Sequence, residues 1–306
     1  MLLRLVLAFI ATSVAYFLGT VVIGDTSVTM TPEEMSQAGM AVIAVSLIGA
    51  LVSSFLILRS PWHRLRLIGA VMLVHFGLET FMAQIETLYF NSALQMGTDM
   101  FAGIVAAGAV RALVFAPLAV LILGKMKKPA QPPEKEATGA SSGWRECLAA
   151  LAVLYVVVYF VFGYFVAWQR AETRLLYSAT TAIKPFLAHY RDLFFKEDPA
   201  ILPFQLLRGA LWTALTIVTV WMIRARRWET SLAVALTFAV LLALPLGLSP
   251  NPYVPPLVRQ AHSSEQASSM LVLGGIAGWV LHGSAGREEM SVHHQLQNGP
   301  GPVLCL

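Results

Sequence analysis

Repeated apolar runs of about twenty residues constrain this chain more than any other feature. A helix of that length rises far enough, at about 1.5 Å per residue, to cross the hydrocarbon of a bilayer. "LVLAFIATSVAYFLGTVVI" (5–23), "AVIAVSLIGALVSSFLIL" (41–58) and "TSLAVALTFAVLLALPLGL" (230–248) hold no charge at all. Charged residues make up 12% of the 306-residue sequence. A soluble domain carries about 25%, so too little polar surface remains to cover a water-facing globule. The fold class that follows is all-α: a polytopic integral membrane protein.

About eight transmembrane helices are expected, near 3–23, 39–58, 65–88, 101–124, 146–168, 204–223, 230–248 and 256–281. They fall four plus four around a Pro-, Gly- and Ser-rich stretch, so residues 1–124 form one membrane unit and 125–144 a flexible linker. Residues 145–283 form the second unit, with a long loop at 169–203, and 284–306 a polar tail. Arg4 ahead of the first run resembles a signal peptide. The run is too long for one and ends without a cleavage site, so it reads as a helix.

Orientation follows from Lys and Arg. Arg4, Arg59, Arg64, Arg66, Lys125, Lys127, Lys128, Lys135, Arg145, Arg224, Arg226, Arg227 and Arg287 collect on one side, while loops 24–38 and 89–100 hold none. Positive loops face the cytoplasm, which places both termini inside and loop 169–203 outside, an exception with five basic residues. The expected location is a bacterial cytoplasmic (inner) membrane. The net charge of +4 comes from these topology signals, so no nucleic-acid partner is expected. Cys147 and Cys305 are far apart and at no metal-ligand spacing, which gives neither a zinc knuckle nor a disulfide framework.

Ionisable residues inside the runs carry the functional reading. A charge at the bilayer centre costs about 2.5–3.5 kcal/mol even on lenient insertion scales, so such residues must face protein or water. In the third span, at about 100° per residue, Glu79 and Glu86 lie roughly 40° and 20° from His75, on one stripe. In the eighth span Arg259, His262, Glu265, Gln266 and Ser269 share an arc of about 120°. Arg111 is central in the fourth span, and Gln205 and Arg208 open the sixth. These groups predict one polar cavity open to the outside, walled by spans 3, 4, 6 and 8.

The chemistry expected there is threefold. His75, Glu79, His262 and Glu265 offer two imidazoles and two carboxylates from two helices, a set suited to a divalent metal such as zinc with an open position for water. Glu79, Glu265 and Glu86 are the candidate catalytic carboxyls. Arg111, Arg208, Arg259 and Gln205 are the candidate substrate contacts, since guanidinium groups grip phosphate or carboxylate. The substrate class is lipid-linked or amphiphilic. A proton-coupled transporter or channel is the alternative, built from the same Glu, His and Arg relay. An accessory membrane protein with purely structural polar pairs is a third, and haem ligation by His75 and His262 a fourth. Loop 169–203, with "LLYSATTAIKPFLAHYRDLFF", reads as an interfacial amphipathic helix or a lid.

Overall fold

A computed structural model describes residues 1–23, 31–127, 144–251 and 253–298, the side chains of 23, 144–145 and 283–298 excepted. Every regular element among them is helical. Helices α1 (Leu2–Ile23) and α2 (Pro32–Arg59) are followed by α3 (Arg64–Phe76), a π-helical turn (Gly77–Phe81) and α4 (Met82–Tyr89), which continue one another. A short α5 (Asn91–Leu94) leads to α6 (Thr98–Ile122), and α7 (Trp144–Phe162) ends in a second π turn (Gly163–Ala167). Then come α8 (Ala171–Ser178), α9 (Phe186–Asp192) with a third π turn (Leu193–Glu197), α10 (Ile201–Trp221), α11 (Arg227–Leu248) and α12 (Pro256–Asn298).

Among the described residues seven helical stretches are long and apolar enough to cross a membrane: Leu2–Val22, Pro32–Arg59, Arg64–Tyr89, Thr98–Ile122, Glu146–Ala167, Ile201–Trp221 and Arg227–Leu248. The eighth expected span falls short of that apolarity because Arg259, His262 and Glu265 interrupt it. It nevertheless runs antiparallel along the full length of α11. Ser263 donates to the Ala243 carbonyl near one end, Ser231 to Gly275 further on, and His282 meets the Ala225 carbonyl at the other. The helix continues to Asn298, through most of the stretch expected to be a tail. Of the expected linker, 128–143 lies outside the described residues, as do Lys128 and Lys135.

Local signals place the helix ends. Thr31 caps α2: its Oγ1 accepts from the Glu34 N–H at 3.2 Å, and Glu34 accepts from the Thr31 N–H at 2.8 Å. The helix thus starts at Pro32, ahead of the apolar run. The loop expected as one amphipathic helix is broken instead. Ala179 closes α8 in the left-handed region (φ 51°), and Lys184 is held out of a helix by the proline that follows it.

Packing is inside-out relative to a soluble protein. Leu2, Phe17, Leu51, Leu113, Phe165 and Trp279 are exposed, while Ser53, Thr80, Gln205, Arg208, Thr216 and Thr237 are buried. Such a surface needs hydrocarbon around it, and the buried hydroxyls find their own helix. Thr213, Thr216 and Thr219 each donate to the carbonyl four residues back. α1 packs on α2 and α6, α10 on α7, α12 on α11 and α7, and α2 and α3 meet α11 and α10 to join the halves. Small residues set these approaches: a Cβ on Gly209 would lie 2.5 Å from the Ala152 carbonyl, and one on Gly274 2.9 Å from the Ala235 Cα. Cys147 is buried in α7; Cys305 lies outside the described residues.

Gly209→Ala forces the α7 backbone away and should lower stability by about 1–3 kcal/mol, the usual range for overpacking. Gly69→Ala, where an added methyl meets nothing within 4 Å, should leave the thermal midpoint of the detergent-solubilised protein unchanged or raise it.

Candidate functional site

Two polar centres occupy the bundle where one was expected. The first lies between α1, α2, α3 and α6. Ser53, 1% exposed on α2, places its Oγ 2.7 Å from His75 Nε2. The other ring nitrogen of His75, Nδ1, lies 3.4 Å from Glu79 Oε1, with both side chains 7% exposed. Phe115 walls the imidazole at 4.4 Å between ring centroids. Tyr16 of α1 stands within electrostatic reach of both Glu79 and Arg111, and the Arg111 guanidinium sits 5.0 Å from the Tyr16 ring centroid. The Tyr16 hydroxyl and Arg111 Nε are buried with no partner in hydrogen-bond geometry.

The second centre lies between α4, α7, α10 and α12. Glu86 and Arg208 pair at 2.7 Å. Arg208 also donates to Gln205 Oε1 at 3.0 Å, an oxygen that accepts from the Tyr155 hydroxyl at 3.2 Å. The rings of Tyr155, Tyr159 and Phe204 surround the guanidinium at 5.7, 5.7 and 5.8 Å. Glu265, 6% exposed, faces the same group, with His262 at 3.8 Å and Tyr177 edge-on to His262 at 5.6 Å. Gln205 and Arg208 are 0% and 2% exposed, so this centre is filled by its own side chains.

The π turn explains the division. A π turn holds one residue more than an α turn, so everything beyond it is rotated by about the 100° that one residue contributes. His75 and Glu79 therefore face α1, α2 and α6, whereas Glu86 is turned toward α10 and α12. The single stripe assumed unbroken α-helical spacing. Gly77, at the start of the turn, lets α10 come close: a Cβ there would lie 2.6 Å from Leu215 Cδ2.

The four residues expected as a metal set fall into two pairs: His75 and Glu79 belong to one centre and His262 and Glu265 to the other. Among the described residues no group of three or more His, Cys, Asp or Glu side chains could hold a metal ion. The expected wall differs as well: the Glu86–Arg208 centre uses α7 in place of α6, and Arg111 belongs with Glu79. Of the expected anion contacts, Arg208 is engaged by Glu86 and Gln205, and Arg259 donates to the Ser249 carbonyl.

Ser53, Tyr16, Tyr155, Tyr159 and Tyr177 were not singled out by sequence. Serine and tyrosine are common in membrane spans, and only the fold pairs them with the charged residues.

Loop 169–203 covers the end of the bundle nearest Glu86. Tyr89 donates to both carboxylate oxygens of Asp198 at 2.8 Å. Lys184 bridges Asp192 and Glu197 at 3.0 Å each, and Lys196 reaches Asp192 at 3.0 Å. Hydrogen bonds from Lys196 and Lys184 hold the Asp192 carboxyl far below the usual carboxylate range. Burial pushes the His189 imidazole down, so it stays neutral.

Comparison with protein-family models, with curated proteins and with solved structures finds no match.

Two outcomes test this end of the bundle. Arg208→Met leaves the partly buried Glu86 without its partner and should destabilise by less than about 3–5 kcal/mol, the cost for a fully buried pair, with much of the loss recovered in Glu86→Gln/Arg208→Met; thermal unfolding of the three proteins checks this. Asp192 titrates lower folded than unfolded, so its stabilisation is complete above the ordinary carboxylate range, about pH 4, and fades as pH falls below it. The stability gap between wild type and Asp192→Asn should therefore close on acidification, as read by thermal unfolding from neutral pH downward.

Proposed function

We propose that this chain is a membrane-embedded hydrolase or transferase whose reactive centre is Ser53, His75 and Glu79. One observation carries the reading. A hydroxyl, an imidazole and a carboxylate stand in the order nucleophile, base and orienting acid, at 2.7 and 3.4 Å, all three side chains buried. The geometry of such a relay, and not its sequence order, defines the chemistry.

His75 Nε2 takes the Ser53 proton as Oγ bonds to the carbonyl carbon of an ester or amide. Glu79 accepts the Nδ1–H, fixing the tautomer and stabilising the imidazolium. When the acyl–leaving-group bond breaks, the proton passes from Nε2 to the leaving group, and water or an acceptor alcohol then takes the acyl group from Ser53. Arg111 and Tyr16 place a positive charge and a spare hydroxyl beside Glu79. The substrate class is lipid-linked or amphiphilic, because the centre lies among helices whose outer faces are apolar. In this reading α12 crosses as an eighth span, both termini face the cytoplasm of a bacterial inner membrane, and the Glu86–Arg208 centre with loop 169–203 closes the extracytoplasmic end.

The 1% exposure of Ser53 favours a second reading, in which the same relay moves protons in a small coupled transporter. Substitutions separate the two. For the enzyme, an alkyl fluorophosphonate should label wild-type protein in micelles at Ser53, and Ser53→Ala and His75→Ala should abolish labelling. Glu79→Gln should reduce it by about 10⁴-fold, as loss of the orienting acid does in such relays. For the transporter, Ser53 stays unlabelled, and proton flux into proteoliposomes survives Ser53→Ala but not Glu79→Gln. No labelling and no flux in any variant, with lowered stability alone, rejects both and leaves the polar centres structural.

A further inference from the structure

We propose that the arginine-rich end of the bundle carries a binding site for a phosphate group, formed by Arg59, Arg224 and Arg226. A basin of about 590 Å³ opens there, lined by these three arginines with Ala225 and Glu229. It lies at the opposite end of the molecule from Glu86 and loop 169–203, so it is independent of either catalytic reading.

Four other cations at this end already have acceptors. Arg4 donates to the Leu123 carbonyl, Arg64 to Met126, Lys125 to Ser60 and Arg227 to Trp279. Arg59, Arg224 and Arg226 differ: among the described residues none forms an ion pair. Three like charges in one hollow repel one another and need an anion to offset them. The single carboxylate present, Glu229, accepts the Arg226 backbone N–H at 3.0 Å and is spent on closing the first turn of α11.

The backbone under the basin is fixed. The Arg224 N–H donates to the Arg59 carbonyl at 2.9 Å, which ties the loop before α11 to the end of α2. His282 of α12 meets the Ala225 carbonyl at 3.0 Å from the other side. The loop then enters α11, a 22-residue helix whose N-terminal dipole adds partial positive charge to the same hollow. Guanidinium forks match phosphate oxygens two at a time, and their weak hydration suits an interface site. Trp228, 53% exposed beside the basin, belongs at headgroup level. The ligand chemistry is thus a phosphate mono- or diester, supplied by an anionic lipid headgroup or by a soluble phosphate compound.

The test uses the full-length protein in neutral-detergent micelles at low salt. Dioleoyl phosphatidylglycerol and inorganic phosphate are titrated separately, with zwitterionic phosphatidylcholine, whose ammonium offsets its phosphate, as the net-neutral control. The variants are Arg224→Gln/Arg226→Gln, Arg224→Lys/Arg226→Lys and, as a control cation outside the basin, Lys127→Gln. Wild type and Lys127→Gln should bind alike. The Gln pair should weaken binding at least about tenfold, given the 1.5–3 kcal/mol of each charge-assisted hydrogen bond. The Lys pair keeps charge but loses the fork and should fall between; it also serves if the Gln pair does not fold. Binding of phosphatidylglycerol alone assigns the site to a lipid headgroup. Binding of phosphate alone assigns it to a soluble ligand, and binding of both to the phosphate group itself. The proposal is overturned if neither probe binds above phosphatidylcholine, or if the Lys pair and every folded arginine variant bind as wild type does.

Discussion

The rest of the structure depends on one constraint: a polar group far from water must find its partner inside the protein. Every unusual feature of the bundle answers to it. Hydroxyls of Thr213, Thr216 and Thr219 turn back on their own helix. Arg208 meets a carboxylate at 2.7 Å and an amide oxygen at 3.0 Å, with three aromatic rings around it. Small residues on α6, α10 and α12 bring backbones close enough for these contacts to form, since hydrocarbon gives no hydrophobic drive for one helix to leave lipid for another.

Within that constraint the π turn at Gly77–Phe81 decides what the polar groups can do. It separates acids that share a stripe in sequence, giving Glu79 to a serine and a histidine and Glu86 to an arginine. The two resulting centres differ in kind. Around Arg208 the guanidinium pairs with Glu86, the arrangement of a clasp between α4 and α10. Around His75 a proton has somewhere to go, and Tyr16 and Arg111 still have unused donors. π turns recur at functional positions because they aim a side chain that regular spacing points elsewhere.

Fold class was legible because it follows from run length and charge content, which survive any error in register. The start of α2 was legible in Thr31, Pro32 and Glu34, a signal complete within four residues. The ionisable site residues were legible one at a time, since a glutamate or arginine in an apolar run has few explanations. Their grouping was not. Helical angles add up only while the helix is regular, and nothing in "FGLETFMAQ" announces the extra residue that turns Glu86 away from Glu79. Ser53 and Tyr16 gave no signal because hydroxyls satisfy themselves cheaply in a span, and only the packing of α1 and α2 against α3 shows what they touch. The helix expected at 256–281 is present in α12 and pairs along α11, although it is not among the stretches apolar enough to cross a membrane.

The central claim is that His75 links Ser53 to Glu79 in one defined tautomer. Nitrogen-15 solid-state NMR of the protein in bilayers reads this directly from the two ring nitrogens. The account predicts a protonated Nδ1 that shifts in Glu79→Gln and an unprotonated, hydrogen-bonded Nε2 that shifts in Ser53→Ala. A proton resident on Nε2, with both nitrogens indifferent to those substitutions, would contradict it.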